Sequence, residues 1–376
     1  MKYMLIAGEA SGDLHAAQVI AELKAIDHHA SFIFFGGDEM AAAAGRAPVV
    51  DIKEMAYMGF SEVLRNLGKI RANIRSAKRL LRLWSPDALI LIDYPSFNLR
   101  VAAEAKNLGI PVFYYISPKV WAWKEWRVAT MKKVVTKMYS IFPFEVAYFR
   151  DRHMWDVEYV GNPSVREVDA ALTSAPSRAE FLEANRLRDR QLIALLPGSR
   201  LGEIKNNLDV MTDAVRRFPQ YRGVVAAAPG VDVDFYKTFT TLPVVTCGAM
   251  KLLAHSHAAL VTSGTATLET ALAGVPQVAC YRSNGSRIAY NLMKRMLSVD
   301  YVTLPNLIVG REIIPELLLH RCTADAVAES LTPLLRDTPQ RQAMMQGYSE
   351  MRACLGNGDA ARNVAIDIVA TLRKAQ

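Results

Sequence analysis

The chain has 376 residues, 51% of them hydrophobic and 22% charged, which is too long for one compact core and implies two domains of ordinary size. Its 45 basic residues against 37 acidic give a net charge of +8, leaving phosphorylated small substrates, an anionic membrane surface and nucleic acid open as partners. Four scattered cysteines without a Cys-x-x-Cys pair argue against a disulfide framework or a zinc knuckle, and no apolar run approaches the roughly 18–20 residues that would cross a bilayer.

Short apolar runs alternate with segments of helical length. The scattered cysteines fit a reducing cytoplasm, and the start before and through Lys2–Ala7 is too short for a signal peptide, so a soluble or peripheral cytoplasmic protein is expected. Lys2–Ala7 reads as a first strand ending in Gly8-Glu9-Ala10-Ser11-Gly12-Asp13, a small loop that opens a helix, with Ser11 as its expected cap. The three glycines of a dinucleotide fingerprint are absent. After a strand at 31–35, Arg65, Lys69, Arg71, Arg75, Lys78, Arg79 and Arg82 interleave with Leu67, Ile70, Ile74, Ala77, Leu81 and Trp84 at spacings of three and four. That pattern predicts a basic amphipathic helix or helix pair with a break at Gly68. Its cationic face is either solvated opposite a core-facing stripe or rests on anionic lipid, and Met55, Tyr57, Met58 and Phe60 supply apolar material for the second role. Ala88–Ile92 is a fully apolar strand that runs into Asp93-Tyr94-Pro95-Ser96-Phe97-Asn98, and strands at 112–116, 138–142 and 157–160 complete the first set. Around 169–190 the chain turns polar, after which the alternation resumes at Leu192–Leu196, 223–228, 244–247, 258–261 and Gln277–Tyr281. The pattern is α/β: two Rossmann-like domains, 1–168 and 191–345, joined by a linker at 169–190, with a helical segment at 346–376 packing back across the domains.

Ligands of such folds gather at the carboxyl ends of strands. Asp93 stands where a carboxylate can take a proton from a hydroxyl, or can simply orient its loop. In Pro197-Gly198-Ser199-Arg200, Gly198 allows close backbone approach, Ser199 can donate to phosphate, and Arg200 can neutralise charge with its guanidinium fork. The run at 258–261 ends in Thr262-Ser263-Gly264-Thr265 and enters a helical pattern at 266–273. The N–H groups of Ser263, Gly264 and Thr265 would then face a diphosphate at the positive end of a helix, with Glu269 one turn further in, within reach of ribose hydroxyls. Capping of the helix by Ser263 is the plainer alternative. There is no Asp-x-Asp motif, and His255 with His257 sits on no ligand platform, so neither a metal nor a cofactor is expected.

Several motifs recur in order along almost the whole chain: Ala7-Gly8-Glu9-Ala10-Ser11-Gly12-Asp13, Ile92-Asp93-Tyr94-Pro95-Ser96-Phe97-Asn98, Ile116-Ser117-Pro118-Lys119-Val120-Trp121-Ala122-Trp123, Phe142-Pro143-Phe144-Glu145, Leu195-Leu196-Pro197-Gly198-Ser199-Arg200, Ser263-Gly264-Thr265-Ala266-Thr267-Leu268-Glu269 and Tyr301-Val302-Thr303-Leu304-Pro305-Asn306-Leu307. Together they resemble the lipid-A-disaccharide synthases, glycosyltransferases of the lipopolysaccharide pathway. The resemblance implies a GT-B fold with two Rossmann-like domains facing a cleft. It implies transfer of 2,3-diacylglucosamine from UDP-2,3-diacylglucosamine to the 6-hydroxyl of 2,3-diacylglucosamine 1-phosphate, with inversion to a β-1,6 link and release of UDP. On this reading Asp93 is the base. Gly198, Ser199, Arg200, Ser263, Gly264 and Thr265 hold the diphosphate, Glu269 binds ribose, and Asn306 contacts the donor or aligns the acceptor. Glu9, Ser11, Gly12 and Asp13 shape the acceptor side.

Two positions depart from the family pattern. Ser96 stands where many members carry a second aspartate, which leaves Asp93 the one carboxylate of its loop, and Asn162 stands where many have histidine, so no role passes to it. Trp121 and Trp123 either line the acyl or sugar region or pack as buried aromatics. Membrane-bound acyl substrates favour peripheral docking of the 55–84 region on the inner face of the cytoplasmic membrane. Nucleic acid is not expected as a partner, and exchange of the C-terminal helices would allow a homodimer. The rival readings are another UDP-sugar enzyme of this fold, such as a 2-epimerase, and a non-catalytic nucleotide- or lipid-binding protein.

Overall fold

The computed structural model describes residues 1–55, 66–122, 124–282 and 301–375. It contains two compact units, Met1–Pro163 with Gly358–Gln376, and Ser164–Asn357.

The first unit is built on a parallel sheet of β1 (Lys2–Ala7), β2 (Ser31–Gly36), β3 (Val50–Asp51), β4 (Ala88–Ile92), β5 (Val112–Tyr115), β6 (Lys137–Ser140) and β7 (Glu158–Tyr159) in the order 3-2-1-4-5-6-7. Strands β1 and β4 lie at its centre, where both faces are covered, so they read as unbroken apolar runs rather than as alternation. Helices α1 (Ala10–Ile26), α2 (Asp38–Ala44), α3 (Leu67–Trp84), α4 (Pro95–Asn107), α5 (Arg127–Val134) and α6 (Pro143–His153) accompany the strands. Helix α3 runs unbroken through Gly68, against the expected break, because that glycine lies in the first turn, where little intrahelical bonding depends on it. It buries Ile74, Ala77 and Leu81 in the same core as Met4, Ile6, Leu89 and Leu91.

The second unit repeats the plan with β8 (Leu192–Leu196), β9 (Arg222–Ala226), β10 (Val244–Val245), β11 (Ser256–Thr262), β12 (Gln277–Tyr281) and β13 (Glu316–Leu318), in the order 10-9-8-11-12-13 and parallel throughout. The stretch at 169–190, expected as a linker, lies inside this unit and is largely helical, in α7 (Pro163–Thr173) and α8 (Arg178–Ala184). Its polarity belongs to exposed helix faces, and α8 opens with a capping box in which Ser177 and Glu180 bond reciprocally. Further along come α9 (Leu201–Val215), α10 (Val233–Lys237), α11 (Ala249–Leu253), α12 (Thr265–Leu272), α13 (Leu304–Val309), α14 (Ala324–Leu331) and α15 (Pro339–Leu355). Of the C-terminal helices, only α16 (Ala360–Ala375) returns to the first unit, where it packs on α1.

In each sheet the strand order reverses between two central neighbours, β1 and β4 in one and β8 and β11 in the other. Ligands of doubly wound sheets bind beyond the strand ends at such a reversal. The pairings Ala7 to Ile92 and Leu196 to Val261 therefore set the loops at 8–9 and 93–94 side by side in the first unit, and those at 197–200 and 263–264 side by side in the second.

Candidate active site

At the reversal in the first unit, Asp93 and Tyr94 both take left-handed backbone conformations, with φ of 40° and 48°. Each costs a non-glycine residue of order 1–3 kcal/mol, so the surroundings must impose them. The Asp93 N–H donates to the Tyr115 carbonyl at 3.2 Å, while the Asp93 carbonyl accepts from Asn98 Nδ2 at 2.7 Å and from the Tyr114 hydroxyl. Tyr94 donates its hydroxyl to the Met55 carbonyl at 3.1 Å and stacks on Phe97. Its ring lies against Gly8, where a Cβ would come within 2.3 Å of the ring, so only glycine fits beneath it. Strand β4 thus turns sharply into α4 with the Asp93 carboxylate at the turn. Burial, and secondarily the charge of Glu9, push that carboxyl up to about 6, although the Lys119 ammonium draws it down. A base with that value is largely deprotonated at neutral pH and still binds a proton well.

The other residues expected on the acceptor side divide. Glu9 is at the N-cap position of α1, close enough to Asp93 to raise its pKa. Ser11 is exposed inside the first turn and is not the cap. Gly12 is buried, and a Cβ there would touch Ala7 and Ile92 at 3.5 Å, so it serves the packing of α1 on the sheet. Asp13 is corrected to a structural role: it is buried and accepts from the backbone N–H groups of Gly37, Glu39 and Met40 at 2.6, 3.0 and 3.3 Å, which fixes the start of α2.

Glu145, in the Phe142-Pro143-Phe144-Glu145 motif, is a functional candidate that its sequence context does not single out. It is fully buried on the first turn of α6, where it accepts from Trp121 Nε1 at 2.7 Å and from Ser140 Oγ. Trp121 is therefore a buried packing residue whose indole is committed to Glu145; Trp123 lies outside the described residues. Asn162 is buried and donates to the Ile141 carbonyl at 2.9 Å.

In the second unit, β11 delivers Ser263 and Gly264 to the start of α12. The N-cap is Gly264 and no side chain caps the helix, so the Ser263 capping alternative does not hold. The first helical amide bonded within this turn is Thr267 to the Gly264 carbonyl, which leaves those of 263–265 ahead of the intrahelical ladder, beside the positive end of the helix. Glu269 lies one turn further in, and its carboxyl is pushed up by burial and by neighbouring Glu167. The loop after β8 holds a surprise for the diphosphate reading: Glu203 of α9 accepts from the N–H groups of Ser199 and Arg200 at 3.0 and 3.3 Å, and its Oε1 lies 3.5 Å from Arg200 Nη1. Those two amides are taken by the chain's own carboxylate, whereas the Arg200 side chain remains three-quarters exposed. Gly198, at φ 119°, has a Cβ position only 2.5 Å from that of Glu203, so glycine lets the loop close over this carboxylate. Asn306 is fully buried and uses its amide locally, donating to the Ile314 carbonyl and Glu316 and accepting from the N–H groups of Ile313 and Ile314, so it organises the 311–316 segment.

His255 packs on Phe181, and His257 stacks on Tyr221 and bonds the Leu335 carbonyl. Among the described residues no three His, Cys, Asp or Glu side chains are grouped to hold a metal ion, and no helix is long and apolar enough to cross a membrane.

The sequence model of the lipid-A-disaccharide synthetase family matches residues 3–366. Lipid-A-disaccharide synthases of Myxococcus xanthus and Nitrosococcus oceani are each 37% identical to this chain, covering 99% and 98% of it and 97% and 95% of their own lengths. Among solved structures, UDP-GlcNAc 2-epimerase of Neisseria meningitidis bound to UDP-GlcNAc superposes over the full length of both chains with a TM-score of 0.67 at 16% identity. The calicheamicin glycosyltransferase CalG4 does so over 99% and 98% with a TM-score of 0.63 at 14% identity. At those identities the structural likeness establishes a shared GT-B-like fold, and not a shared reaction.

Proposed function

The chain belongs to the lipid-A-disaccharide synthetase family, and on that premise we propose how its residues divide the work of a glycosyltransferase acting on lipid A precursor sugars. The family reaction joins UDP-2,3-diacylglucosamine to 2,3-diacylglucosamine 1-phosphate. Asp93 takes the proton of the acceptor's 6-hydroxyl as that oxygen attacks the anomeric carbon from the face opposite the diphosphate. The bond from the anomeric carbon to the diphosphate oxygen breaks, the configuration inverts, and UDP leaves with the electron pair. The amides at 263–265 and the Arg200 side chain stabilise the charge on the departing diphosphate, with Glu203 holding the 198–200 loop in shape. Glu269 accepts from the ribose. The second-unit assignments rest on the adjacency of the two loops at the β8–β11 reversal.

The observation that carries this reading is the strained turn that fixes Asp93 at the β1–β4 reversal with a carboxyl pushed up to about 6. Asp93→Asn preserves the shape and removes the base, and a loss of roughly 100-fold or more in disaccharide and UDP formation is expected. Full turnover of that variant would refute the assignment.

Docking of the first unit on the inner leaflet of the cytoplasmic membrane is part of the proposal, in a revised form. Met55, offered as apolar material, is buried, and the apolar stripe of α3 faces the core, so the support is electrostatic: Arg75, Lys78, Arg79 and Arg82 line one concavity with Leu83, which is 70% exposed, and Glu104 of the same concavity pairs with Lys78 and Arg82, leaving Arg75 and Arg79 to face an anionic surface. Tyr57, Met58 and Phe60 lie outside the described residues. The 2-epimerase alternative is disfavoured, because the likeness to epimerases is confined to the fold while the sequence match to the synthases runs the length of both chains.

A further inference from the structure

Shortly after Asp93 in the chain, α4 and the start of α5 enclose a groove of about 190 Å³, lined by Pro95, Ser96 and Arg100 from α4, by Trp126 at the N-cap of α5, and by Arg127 and Thr130 of α5. Its lining starts two residues beyond the base, at the N-terminal end of a 13-residue helix, whose dipole adds positive potential. Arg127 donates from Nη2 to Ser96 Oγ at 3.0 Å, and its guanidinium stands 5.6 Å from the ring of Trp126, which is 72% exposed. The carboxylates on these elements are engaged elsewhere: Glu104, one turn along α4 from Arg100, is shared by Arg82 and Lys78, and Glu125 faces Arg152 and His153. Among the described residues neither Arg100 nor Arg127 has a carboxylate partner. Two unneutralised guanidinium forks in a groove suit a phosphate monoester, which each can engage with paired N–H donors.

We propose that this groove is the subsite for the phosphate of the acceptor, with Arg127 and Arg100 binding the phosphate oxygens and the exposed face of Trp126 covering the sugar ring. The inference rests on Asp93 being the base for the acceptor hydroxyl. The attacking 6-hydroxyl and the 1-phosphate stand on opposite sides of one pyranose ring, so the phosphate has to be held about one sugar's width from the base. The groove begins at Pro95, two residues beyond Asp93 in the chain. Anchoring the phosphate there turns the 6-hydroxyl toward Asp93.

The test compares 2,3-diacylglucosamine 1-phosphate with the same acceptor lacking the phosphate, in neutral detergent micelles, for the wild type, Arg127→Ala, Arg127→Lys and Arg100→Ala. Wild type is expected to prefer the phosphorylated acceptor. Arg127→Ala should lower kcat/KM for it by roughly 10- to 100-fold, leave the dephosphorylated acceptor and the KM for the UDP donor within about twofold, and so erase the preference. Arg127→Lys, which keeps the charge but not the fork, should fall between, and Arg100→Ala should move the same ratio. The subsite is overturned if the preference survives in both alanine variants, or if both acceptors lose equally, as a purely structural role of Arg127 would cause. It is equally overturned if the variants change only binding to phosphatidylglycerol vesicles, which would assign the groove to lipid headgroups. Failure of the Asp93 reading is separate, since it appears as full activity of Asp93→Asn with either acceptor.

Discussion

At the scale of single residues, the pKa of Asp93 is a balance of burial against charged neighbours, of which Glu9 and Lys119 can each be changed alone. Burial and the charge of Glu9 raise it to about 6, while Lys119 lowers it. If the deprotonated form is the base, kcat/KM rises with pH and levels off above about 6, falling roughly tenfold for each pH unit below that. Removing the lowering charge with Lys119→Met should shift this acid limb to higher pH, and Glu9→Gln should shift it to lower pH. A pH profile of kcat/KM for the three proteins checks both signs, and an acid limb that ignores both substitutions would remove Asp93 from the base role. Asp93 was legible in the sequence because a carboxylate directly after an unbroken apolar run can only stand at a strand's carboxyl end. The structural partners of Asp13 and Asn306 could not be inferred from the sequence around them. The amides that consume Asp13 lie 24 to 27 residues away, and the loop that consumes Asn306 is folded against it by backbone bonds with no periodic signature. Glu203 left a trace, since a glutamate in the first turn after Ser199-Arg200 is the composition of a helix start that bonds its own amides.

At the scale of elements, Glu145 ties α6 to β6 through Ser140 and to the loop of Trp121. Its position in the first turn of a helix favours the charged form by about 0.3–1 kcal/mol, yet complete burial outweighs this and the two donated hydrogen bonds, and the carboxyl is pushed up to about 7. A carboxyl whose folded value lies above its unfolded 4.5 contributes stability that is complete below about pH 4.5 and is lost as pH rises through about 7, on the order of 3 kcal/mol over that window. Glu145→Gln keeps an acceptor for the indole and cannot titrate, so urea unfolding should show wild type losing stability relative to the variant between pH 5 and pH 8. Parallel pH dependences would mean that Glu145 stays ionised in the fold. The elements themselves were legible in proportion to their burial. β1, β4, β8 and β12 have the expected bounds, because strands covered on both faces are bounded apolar runs. β3 and β13, two and three residues long at sheet edges, are too short to carry a period and went unread, although they complete both strand orders. The end of α7 and the whole of α8 fall in the 169–190 stretch that reads as a linker, because polar, exposed faces dominate its composition, even though Ser177-x-x-Glu180 carries the capping-box signature.

At the scale of the whole molecule, the chain leaves the first unit at 163 and re-enters it at 358, so that unit is closed by the last segment of the chain. Helix α16 buries Val364, Ile368, Val369 and Leu372, and its Asp367 receives Lys137 Nζ at 2.6 Å and the Tyr139 hydroxyl at 2.6 Å from β6 of the first sheet. At about 1.5–3 kcal/mol for each large apolar side chain, the four contribute roughly 6–12 kcal/mol, an upper bound comparable with the 5–15 kcal/mol that stabilises a whole domain. Truncation after Asn357 should therefore abolish cooperative unfolding of the first unit while the second, continuous from 164 to 357, keeps its own transition. Hydrogen exchange separates the two directly: amides of β1 and β4 should lose protection in the truncated chain, and those of β8 and β11 should retain it. Asp367→Asn discriminates between the packing and the polar contacts, because it leaves the apolar face intact and weakens only the bonds to Lys137 and Tyr139. Its cost should be about 1–3 kcal/mol, with both transitions preserved. If the truncated chain instead keeps full protection in β1 and β4, the first unit is stable without α16 and the return of the chain serves some purpose other than closing its core.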